Sequence, residues 1–395
     1  MAPSAALTRR ALNRATLARQ GLLDPFGDTR PDRIVRGVGS LQAQHPDWPP
    51  VALAARAGDR TSADLSAALK ERTVVRSSLM RNTIHVVTAD DMWPMFTVCQ
   101  PLRLDQWRLI MKADPVDSPL GRRMADAHAV ALSALAERPR TSLELDRLMS
   151  AQVGPEATAV TRPAWRQPDV RIVARAAWRH FAAFVPLVHV PHEREGYGRS
   201  LYAVAETWLG QTRPAVDIAA ARAWVARRYF AAFGPASVED LAAYVGRGKG
   251  GIGPWRAAVA DLGDELIELK DEDGRLIHDM ADAPRPDDDT AARPRLLARW
   301  DSLLLSHATR HRGRIIADDH RAAVFTKNAD VHPTFLVDGF VAGTWALTRN
   351  DGSAMIEVRP FDVMKRRDRV ALLDEAERVL GLLAPRARLA VTVRA

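Results

Sequence analysis

Two glutamines separated by one residue are the first side chains in this sequence whose spacing suggests chemistry. They are Gln42 and Gln44 of the segment Ser-Leu-Gln-Ala-Gln, residues 40–44. A glutamine carbonyl oxygen can accept a hydrogen bond from water, and its NH2 group can donate to a substrate, but the amide is neither a strong acid nor a strong base. Such a pair suits a reaction in which the leaving group is already activated and a water molecule has only to be oriented.

The segment that must position this pair is predicted to be a helix. Pro31 suits the first turn of a helix, and Pro46 disfavours helical geometry at the residue before it, so the helix should end near Gln44. Residues two apart on a helix point about 200° away from each other. Both glutamines can therefore line one site only if the helix ends between them or just after them.

Helices followed by a short strand pair recur along the chain, which is the outline of a winged helix. The predicted elements are helices at 7–21, 61–72, 121–137, 141–145 and 168–182, strands within 74–87 and 185–190, and a helix-turn-helix with a hairpin at 217–280. These patterns predict a mostly helical α+β fold with winged-helix modules at residues 1–118, 119–215 and 216–282, the first of which carries the glutamine pair.

The last part of the chain, residues 283–395, is predicted to be a linker and a β-rich domain with a DNA-binding hairpin. Residues 283–294 are rich in Pro, Asp and Ala, which is typical of a flexible linker. Strands are expected within 314–360, with turns at Asp338-Gly339 and Asp351-Gly352. A final helix at 366–383 and a strand at 389–393 complete the predicted domain.

Charge and cysteine content narrow the function classes. The chain of 395 residues has 56 Lys and Arg against 48 Asp and Glu, a net charge of +8, which favours a polyanionic partner such as nucleic acid. Cys99 is the single cysteine, so the chain can form no internal disulfide, and a reducing cytoplasm is the expected compartment. No apolar run approaches the length of a membrane span, and none follows the N-terminal arginines.

Five ordered segments together resemble the AlkZ/YcaQ-type winged-helix DNA glycosylases. They are residues 40–44 (Ser-Leu-Gln-Ala-Gln), 80–85 (Met-Arg-Asn-Thr-Ile-His), 229–241 with the core Phe-Gly-Pro-Ala, 300–307 (Trp-Asp-Ser-Leu-Leu-Leu-Ser-His) and 333–339 (Pro-Thr-Phe-Leu-Val-Asp-Gly). One branch of this family has Asp at the second glutamine. Because this chain has Gln44 there, it resembles the AlkZ-like branch.

The resemblance implies tandem winged helices in a C shape around DNA. It also implies excision of N7-alkylated purines, including bulky adducts and interstrand crosslinks. The implied role is DNA repair or self-resistance to a DNA-alkylating natural product. It assigns the catalytic role to Gln42 and Gln44, with Gln42 favoured. The chemistry is consistent, because an N7-alkylguanine is already cationic and leaves as a neutral base without a general acid. No catalytic lysine is apparent, so a monofunctional hydrolase that leaves an abasic site is expected.

Further residues could line such a site. Arg81, Thr83 and His85 alternate along a predicted wing strand and so should share one face, either contacting DNA or forming an ordinary polar face. Trp300 and Asp301 could line the cleft. The alternatives are that Trp300 belongs to the core and that Asp301 caps the following helix.

A basic cluster and a glycine-rich loop are candidate DNA contacts, with a solvated basic face as the alternative for the cluster. The residues are Arg310, Arg312, Arg314 and Lys327 in the cluster, and Arg247 and Lys249 in the loop 246–251. The loop lacks the Gly-Lys-Ser/Thr ending and the preceding strand of a phosphate-binding loop, so no nucleotide cofactor is expected.

No metal or other cofactor is predicted either. His307 and His311 are four residues apart, and His189 and His192 are three apart, but neither pair has an obvious third ligand. The expected partner is double-stranded DNA containing alkylated bases, bound by a monomer. Two other interpretations remain open: a winged-helix transcriptional regulator without chemistry, and a protein that shields damaged DNA without cutting it.

Overall fold

The computed structural model describes residues 6–57, 65–111, 119–153, 159–164, 167–175, 181–191, 200–246, 251–327 and 330–394. In the first part of the chain the elements are α1 (Arg9–Arg19), α2 (Pro31–Val38), β1 (Leu41–Gln42), α3 (Trp48–Ala54), α4 (Leu65–Lys70), β2 (Val74–Ser78), β3 (Ile84–Thr88) and α5 (Ala89–Met111). The Thr8 side chain caps α1, and Pro31 occupies the first turn of α2 as predicted.

The predicted helix through the glutamine pair is wrong beyond Val38. Gly39 adopts φ +79°, which ends α2 at Val38, eight residues before Pro46. Leu41 and Gln42 then extend and pair with Val86 and His85 of β3. Pairing with β3 thus outweighs the helical periodicity of this segment. The two glutamines lie in and after a strand, so they are not brought together by the end of a helix, as the sequence had predicted.

The middle of the chain contains α6 (Pro119–Glu137), β4 (Arg140–Thr141), α7 (Ser142–Val153), β5 (Ala159–Ala164), β6 (Gln167–Arg175), β7 (Leu187–Val190), β8 (Leu201–Val204) and α8 (Ala205–Leu209). The capped helix predicted at 141–145 is confirmed, with Thr141 and Glu144 bonded reciprocally. The helix predicted at 168–182 is wrong over residues 168–175, which pair with β5 as part of an antiparallel hairpin. Residues 176–180 lie outside the described residues, and residues 181–184 are helical. The β-branched residues Val170, Ile172 and Val173 favour that pairing.

One six-stranded sheet joins the first two parts of the chain, in the order β1-β3-β2-β7-β8-β4. Ser77 of β2 pairs both with His85 of β3 and with Val188 of β7. Strands from residues 41–88 and 187–204 therefore share one hydrogen-bonded layer, and Gln42 lies on its edge strand. The module boundaries at 118, 215 and 282 stay a prediction.

The helix-turn-helix with a hairpin is present within residues 217–280, where it was predicted. It comprises α9 (Ile218–Phe233), α10 (Val238–Val245), α11 (Gly253–Ala260), β9 (Leu266–Lys270) and β10 (Leu276–Met280). Ser237 and Asp240 form the capping box of α10. Buried faces of α5, α9 and α10 share one hydrophobic core, so this unit packs directly on the first sheet.

The C-terminal region contains β11 (Arg295–Leu297), α12 (Ser302–Leu305), α13 (Arg321–Val324), β12 (Thr334–Val337), β13 (Phe340–Asn350), β14 (Ser353–Pro360), α14 (Arg366–Leu383) and β15 (Arg388–Val393). The strands form a five-stranded sheet in chain order, antiparallel except for β14 and β15. The predicted α+β class is confirmed. No helix in the described ranges is both long and apolar enough to cross a membrane.

Two interactions attach this C-terminal region to the beginning of the chain. The first is a core shared by α2, the β12–β14 sheet and α14, in which Ile34, Val35 and Val38 pack with Phe335 and Trp345. The second comes from the segment 283–294, predicted to be a flexible linker, which receives hydrogen bonds from α1 at its Asp288 and Thr290 carbonyls.

A buried ion pair fixes α12 beneath the glutamine segment. Arg56 donates to both carboxylate oxygens of Asp301 at 2.8 and 2.9 Å, with both side chains fully buried, and Asp301 also caps α12 through Leu303 N–H. The next residue, Ser302, donates to the carbonyl of Ser40 at 2.5 Å. The capping role considered for Asp301 is therefore present in the structure.

Replacing Arg56 with methionine should destabilise the protein by about 3–5 kcal/mol, because Asp301 would be left as a buried charge without its partner. Urea unfolding followed by circular dichroism measures the change. Arg227→Met, which removes the exposed pair with Glu265, is the matched control and should have a much smaller effect. Equal effects of the two substitutions would contradict the structural role of the buried pair.

Candidate functional site

Gln42 and His85 lie side by side at the end of the first sheet. They are directly opposite residues of β1 and β3, so their side chains project from the same face as close neighbours. The Gln42 side chain retains a small accessible fraction, with the residue 9% exposed, whereas His85 is fully buried. The amide of Gln42 is therefore presented from a rigid strand rather than from a loop.

Arg81 covers this pair from the turn between β2 and β3. Its NH2 group donates to Gln42 Oε1 at 3.1 Å and bonds His85 Nε2 at 3.3 Å, and its other terminal nitrogen donates to the carbonyl of Tyr244. The guanidinium also lies over the Tyr244 ring, 5.4 Å from its centre. Three acceptors and one aromatic ring thus hold the cation in place.

The backbone at this turn corrects the predicted strand alternation. Arg81 and Asn82 adopt φ values of +52° and +57° in a 3-10 turn, and β3 begins only at Ile84, so neither Arg81 nor Thr83 lies on the strand. The left-handed conformation is costly for a long side chain such as that of Arg81. The acceptors around its guanidinium offset that cost. Thr83 directs its hydroxyl to the Met80 carbonyl at 3.2 Å.

His85 is held in the neutral state. Burial lowers the pKa of His85 well below its usual value, and the positive charge of Arg81 lowers it further. Its Nδ1 lies 3.0 Å from the Thr83 carbonyl and so carries the proton, which leaves Nε2 to accept from Arg81. Because His85 is neutral, it serves as a fixed acceptor for the guanidinium.

Gln44 is placed differently from Gln42. Ala43 donates its N–H to the Ile84 carbonyl at 2.7 Å, and the Gln44 Oε1 accepts from Ile84 N–H at 3.2 Å, so the Gln44 side chain extends the β1–β3 ladder by one bond. From the opposite face of the sheet, Arg76 donates twice to the Ala43 carbonyl, at 3.2 and 3.0 Å. The exposed Gln44 retains an NH2 group that points out of this ladder.

Beside Arg81 a cleft of about 590 Å³ opens between α10 and the segment after α12. Among the described residues its walls are formed by Arg81, Glu239, Ala243, Gly246, His307, Ala308, Thr309, Arg310 and Arg312. Arginines outnumber the single carboxylate, and Glu239 is bound by Arg310. The cleft is therefore positive, in keeping with a polyanionic ligand.

Arg312 is the second cation held rigidly in this cleft. It donates to the His307 carbonyl at 3.2 Å and stacks over Phe325, with its guanidinium 4.5 Å from the ring centre. Burial, together with the nearby charges of Arg81 and Arg321, lowers the pKa of Arg312 to about 10. The group remains charged at neutral pH.

Asp240 fixes the basic segment against α10. One of its oxygens accepts from Ala308 N–H at 2.9 Å and bonds His311 Nδ1 at 2.6 Å, and the other accepts from Ser237 in the capping box. Burial alone would raise the pKa of Asp240, but the hydrogen bond to His311 and nearby positive charges hold it well below its usual range. The sequence did not point to this role of Asp240. Its one local signal was the capping box of α10, which is explained by helix capping alone.

The remaining predicted residues lie elsewhere. Arg314 is buried and donates to the Pro235 carbonyl at 2.6 Å, and Lys327 is exposed outside the described cleft wall. Trp300 is half-buried beneath the guanidinium of Arg299, and Asp301 is bound to Arg56. Arg247 and Lys249 lie outside the described residues.

The described residues contain no group of three or more His, Cys, Asp or Glu side chains that could hold a metal ion. His307 and His311, the histidine pair with ligand-like spacing, are engaged by Ser306 and Asp240 respectively. The pair of His189 and His192 cannot be assessed as a whole because His192 lies outside the described residues.

Comparisons with known proteins agree on one relationship. A family model described as DNA glycosylase AlkZ-like matches residues 35–382. The interstrand DNA cross-link repair glycosylase of Streptomyces sahachiroi is 28% identical over 159 residues, 39% of this chain, so the match spans only 41% of that relative. The solved structure of the Streptomyces sahachiroi DNA glycosylase AlkZ aligns with 99% of this chain and 100% of its own, with a TM-score of 0.76 at 20% identity.

The buried histidines predict acid sensitivity. Burial lowers the pKa of His307 to about 3. It also holds the pKa values of His85 and His189 well below the usual value for histidine. These histidines bind protons near pH 6.5 in the unfolded chain but not in the folded chain. Their contribution to the free energy of unfolding is therefore complete above pH 6.5 and is lost as the pH falls below it. Between pH 7.5 and 5.5 each histidine should account for a loss of about 1.4 kcal/mol.

Urea unfolding at these two pH values tests this expectation. His307→Gln keeps a polar side chain but removes one titrating group, so its pH-dependent loss should be smaller than that of the native chain. An identical loss in both proteins would show that His307 does not contribute.

Proposed function

Because this chain belongs to the AlkZ-like family of DNA glycosylases, we propose that it is a monofunctional glycosylase that hydrolyses the N-glycosidic bond of N7-alkylated purines in duplex DNA. The observation that carries the proposal is the Gln42 amide, held by Arg81 beside a cleft with positive walls. The products are the free base and an abasic site.

The chemistry of the site suits a cationic leaving group. The bond from C1′ to N9 breaks with both electrons going to the base, which leaves neutral because alkylation at N7 had already made it positive. Water then bonds to C1′ and releases its proton to solvent. Gln42 Oε1 uses one lone pair for Arg81 and keeps the other to orient that water. The hydrogen bond from Arg81 weakens the oxygen as a base, which protects normal nucleotides from attack.

Gln44 acts on the same segment in another way. Its carbonyl oxygen accepts from the Ile84 N–H and is held in the β1–β3 ladder, and we assign its contribution to the substrate to the NH2 group of this exposed side chain. We assign it to contacts that tune which lesion is accepted. Gln42 is therefore the principal catalytic residue, and the two amides are not equivalent.

The open cleft and the Streptomyces relative support a bulky lesion as the substrate. Arg81 and Arg312 line a groove rather than a closed pocket, which would accommodate a bulky adduct. The Streptomyces relative is named for interstrand cross-link repair, which supports crosslinks as candidate substrates. In this proposal the protein acts as a monomer on DNA in the cytoplasm, at the nucleoid, in repair or in self-resistance to a DNA-alkylating natural product.

Gln42→Ala should slow single-turnover excision of N7-methylguanine by about 10²-fold or more, the range for loss of one positioned polar group in an active site. Binding to undamaged duplex should change little, because the amide contributes orientation rather than charge. Alkali cleavage of the abasic product measures the rate, and fluorescence anisotropy measures the binding.

Gln211→Ala is the matched control, since Gln211 is an exposed glutamine after α8 and outside the cleft wall. It should excise at the native rate. A native protein that excised no alkylated purine but bound one DNA sequence tightly would instead be a winged-helix regulator. Unchanged excision by Gln42→Ala would remove Gln42 from the mechanism.

Excision should be insensitive to chelators, because the proposed steps use only amides, a guanidinium and water. The same assay in excess EDTA provides the measurement. Loss of activity that zinc restores would show that a metal takes part.

A further inference from the structure

Arg81 and Arg312 share the cleft, yet within the described residues neither forms an ion pair with a carboxylate. Other arginines of this chain find such partners even at the surface, as Arg310 does with Glu239 and Arg321 with Asp318. Of the three arginines in the described cleft wall, Arg81 and Arg312 are thus the two without a carboxylate partner.

Both guanidiniums are also prevented from moving to a counter-ion. Arg81 is bound by Gln42, His85 and the Tyr244 carbonyl, and Arg312 is bound by the His307 carbonyl and the Phe325 ring. Holding two like charges near each other is unfavourable unless a bound anion compensates them. Planar guanidiniums present paired N–H donors that match the geometry of phosphate oxygens.

The proposed reaction adds a further positive charge close to these two arginines. As the glycosidic bond breaks, positive charge develops on the sugar beside Gln42, one hydrogen bond away from the Arg81 cation. Glycosidases commonly meet such a charge with a carboxylate. Here the carboxylate among the described residues of the cleft wall is Glu239, and Arg310 binds it.

We propose that Arg81 and Arg312 together seat the phosphodiester adjacent to the lesion, and that this DNA phosphate supplies the negative charge that stabilises the sugar cation. This inference rests on the proposed glycosylase function. The phosphate neutralises the two guanidiniums on binding and faces the sugar during bond cleavage. It forms and breaks no bond, and the water that attacks C1′ loses its proton to solvent as before.

The test replaces single phosphates by neutral methylphosphonates on either side of an N7-methylguanine in a duplex. With the native protein, one position should slow single-turnover excision by about 10²-fold, the size expected for loss of a charge aimed at the transition state. The dissociation constant at that position should rise by a much smaller factor. A phosphate that only anchored the DNA would weaken binding and leave the single-turnover rate of the bound duplex unchanged.

The Arg312→Gln variant, assayed on the same duplexes, locates the effect in the protein. It should slow excision of the natural duplex. The methylphosphonate at the sensitive position should then slow excision only slightly further, because the phosphate no longer binds Arg312. Arg321→Gln is the matched control. It removes a nearby charge that is paired with Asp318 and does not line the described cleft wall, so the full methylphosphonate effect should persist.

The outcomes separate this inference from the function on which it rests. Normal excision with equal methylphosphonate effects in the native and Arg312→Gln proteins would overturn the phosphate seat and leave the glycosylase proposal intact. Weaker binding without a slower single-turnover rate at every methylphosphonate position would overturn the catalytic role of the phosphate. Absence of excision from every alkylated duplex would overturn the glycosylase proposal and the inference together. Thermal melts of each variant confirm that it is folded.

Discussion

The guanidinium of Arg81 is the interaction on which the arrangement of the site depends. It joins the glutamine segment through Gln42, the first sheet through His85, and the end of α10 through the Tyr244 carbonyl. These partners come from three separate parts of the chain. An arginine can make all three contacts at once because its donors diverge in one plane. The left-handed backbone at Arg81 is the conformational cost of placing that plane correctly.

The glutamine segment is anchored from every side. The Arg76 guanidinium binds the Ala43 carbonyl, the Ile84 carbonyl accepts from Ala43 N–H, and the Ser40 carbonyl accepts from Ser302, which follows the buried Arg56–Asp301 pair. Ser40 also shares a hydrogen bond of 2.7 Å with the Tyr244 hydroxyl. A short strand of two residues has little stability of its own, so these contacts provide the rigidity that orientation of a water requires.

Charge in this protein is used in two distinct ways. Buried arginines such as Arg19 and Arg56 are matched by Asp279 and Asp301, and those pairs connect distant segments. Arg81 and Arg312 are instead held by neutral acceptors and aromatic rings, which leaves their charge directed into the cleft. The first arrangement builds the fold and the second prepares a surface for an anion.

Local patterns in the sequence were sufficient where the signal lies within neighbouring residues. The amphipathic helix at 366–383 and the capping box of Ser237 were both predicted correctly on that basis. The strand at 41–42 was not, since pairing with the distant strand β3 outweighed helical periodicity there. The helix predicted at 168–182 was wrong over residues 168–175, which pair with the neighbouring strand β5. The resemblance singled out Gln42, but only the tertiary structure decided that Arg81 binds it and that Arg312 lines the same cleft as Arg81, because those contacts join residues that sequence spacing cannot relate.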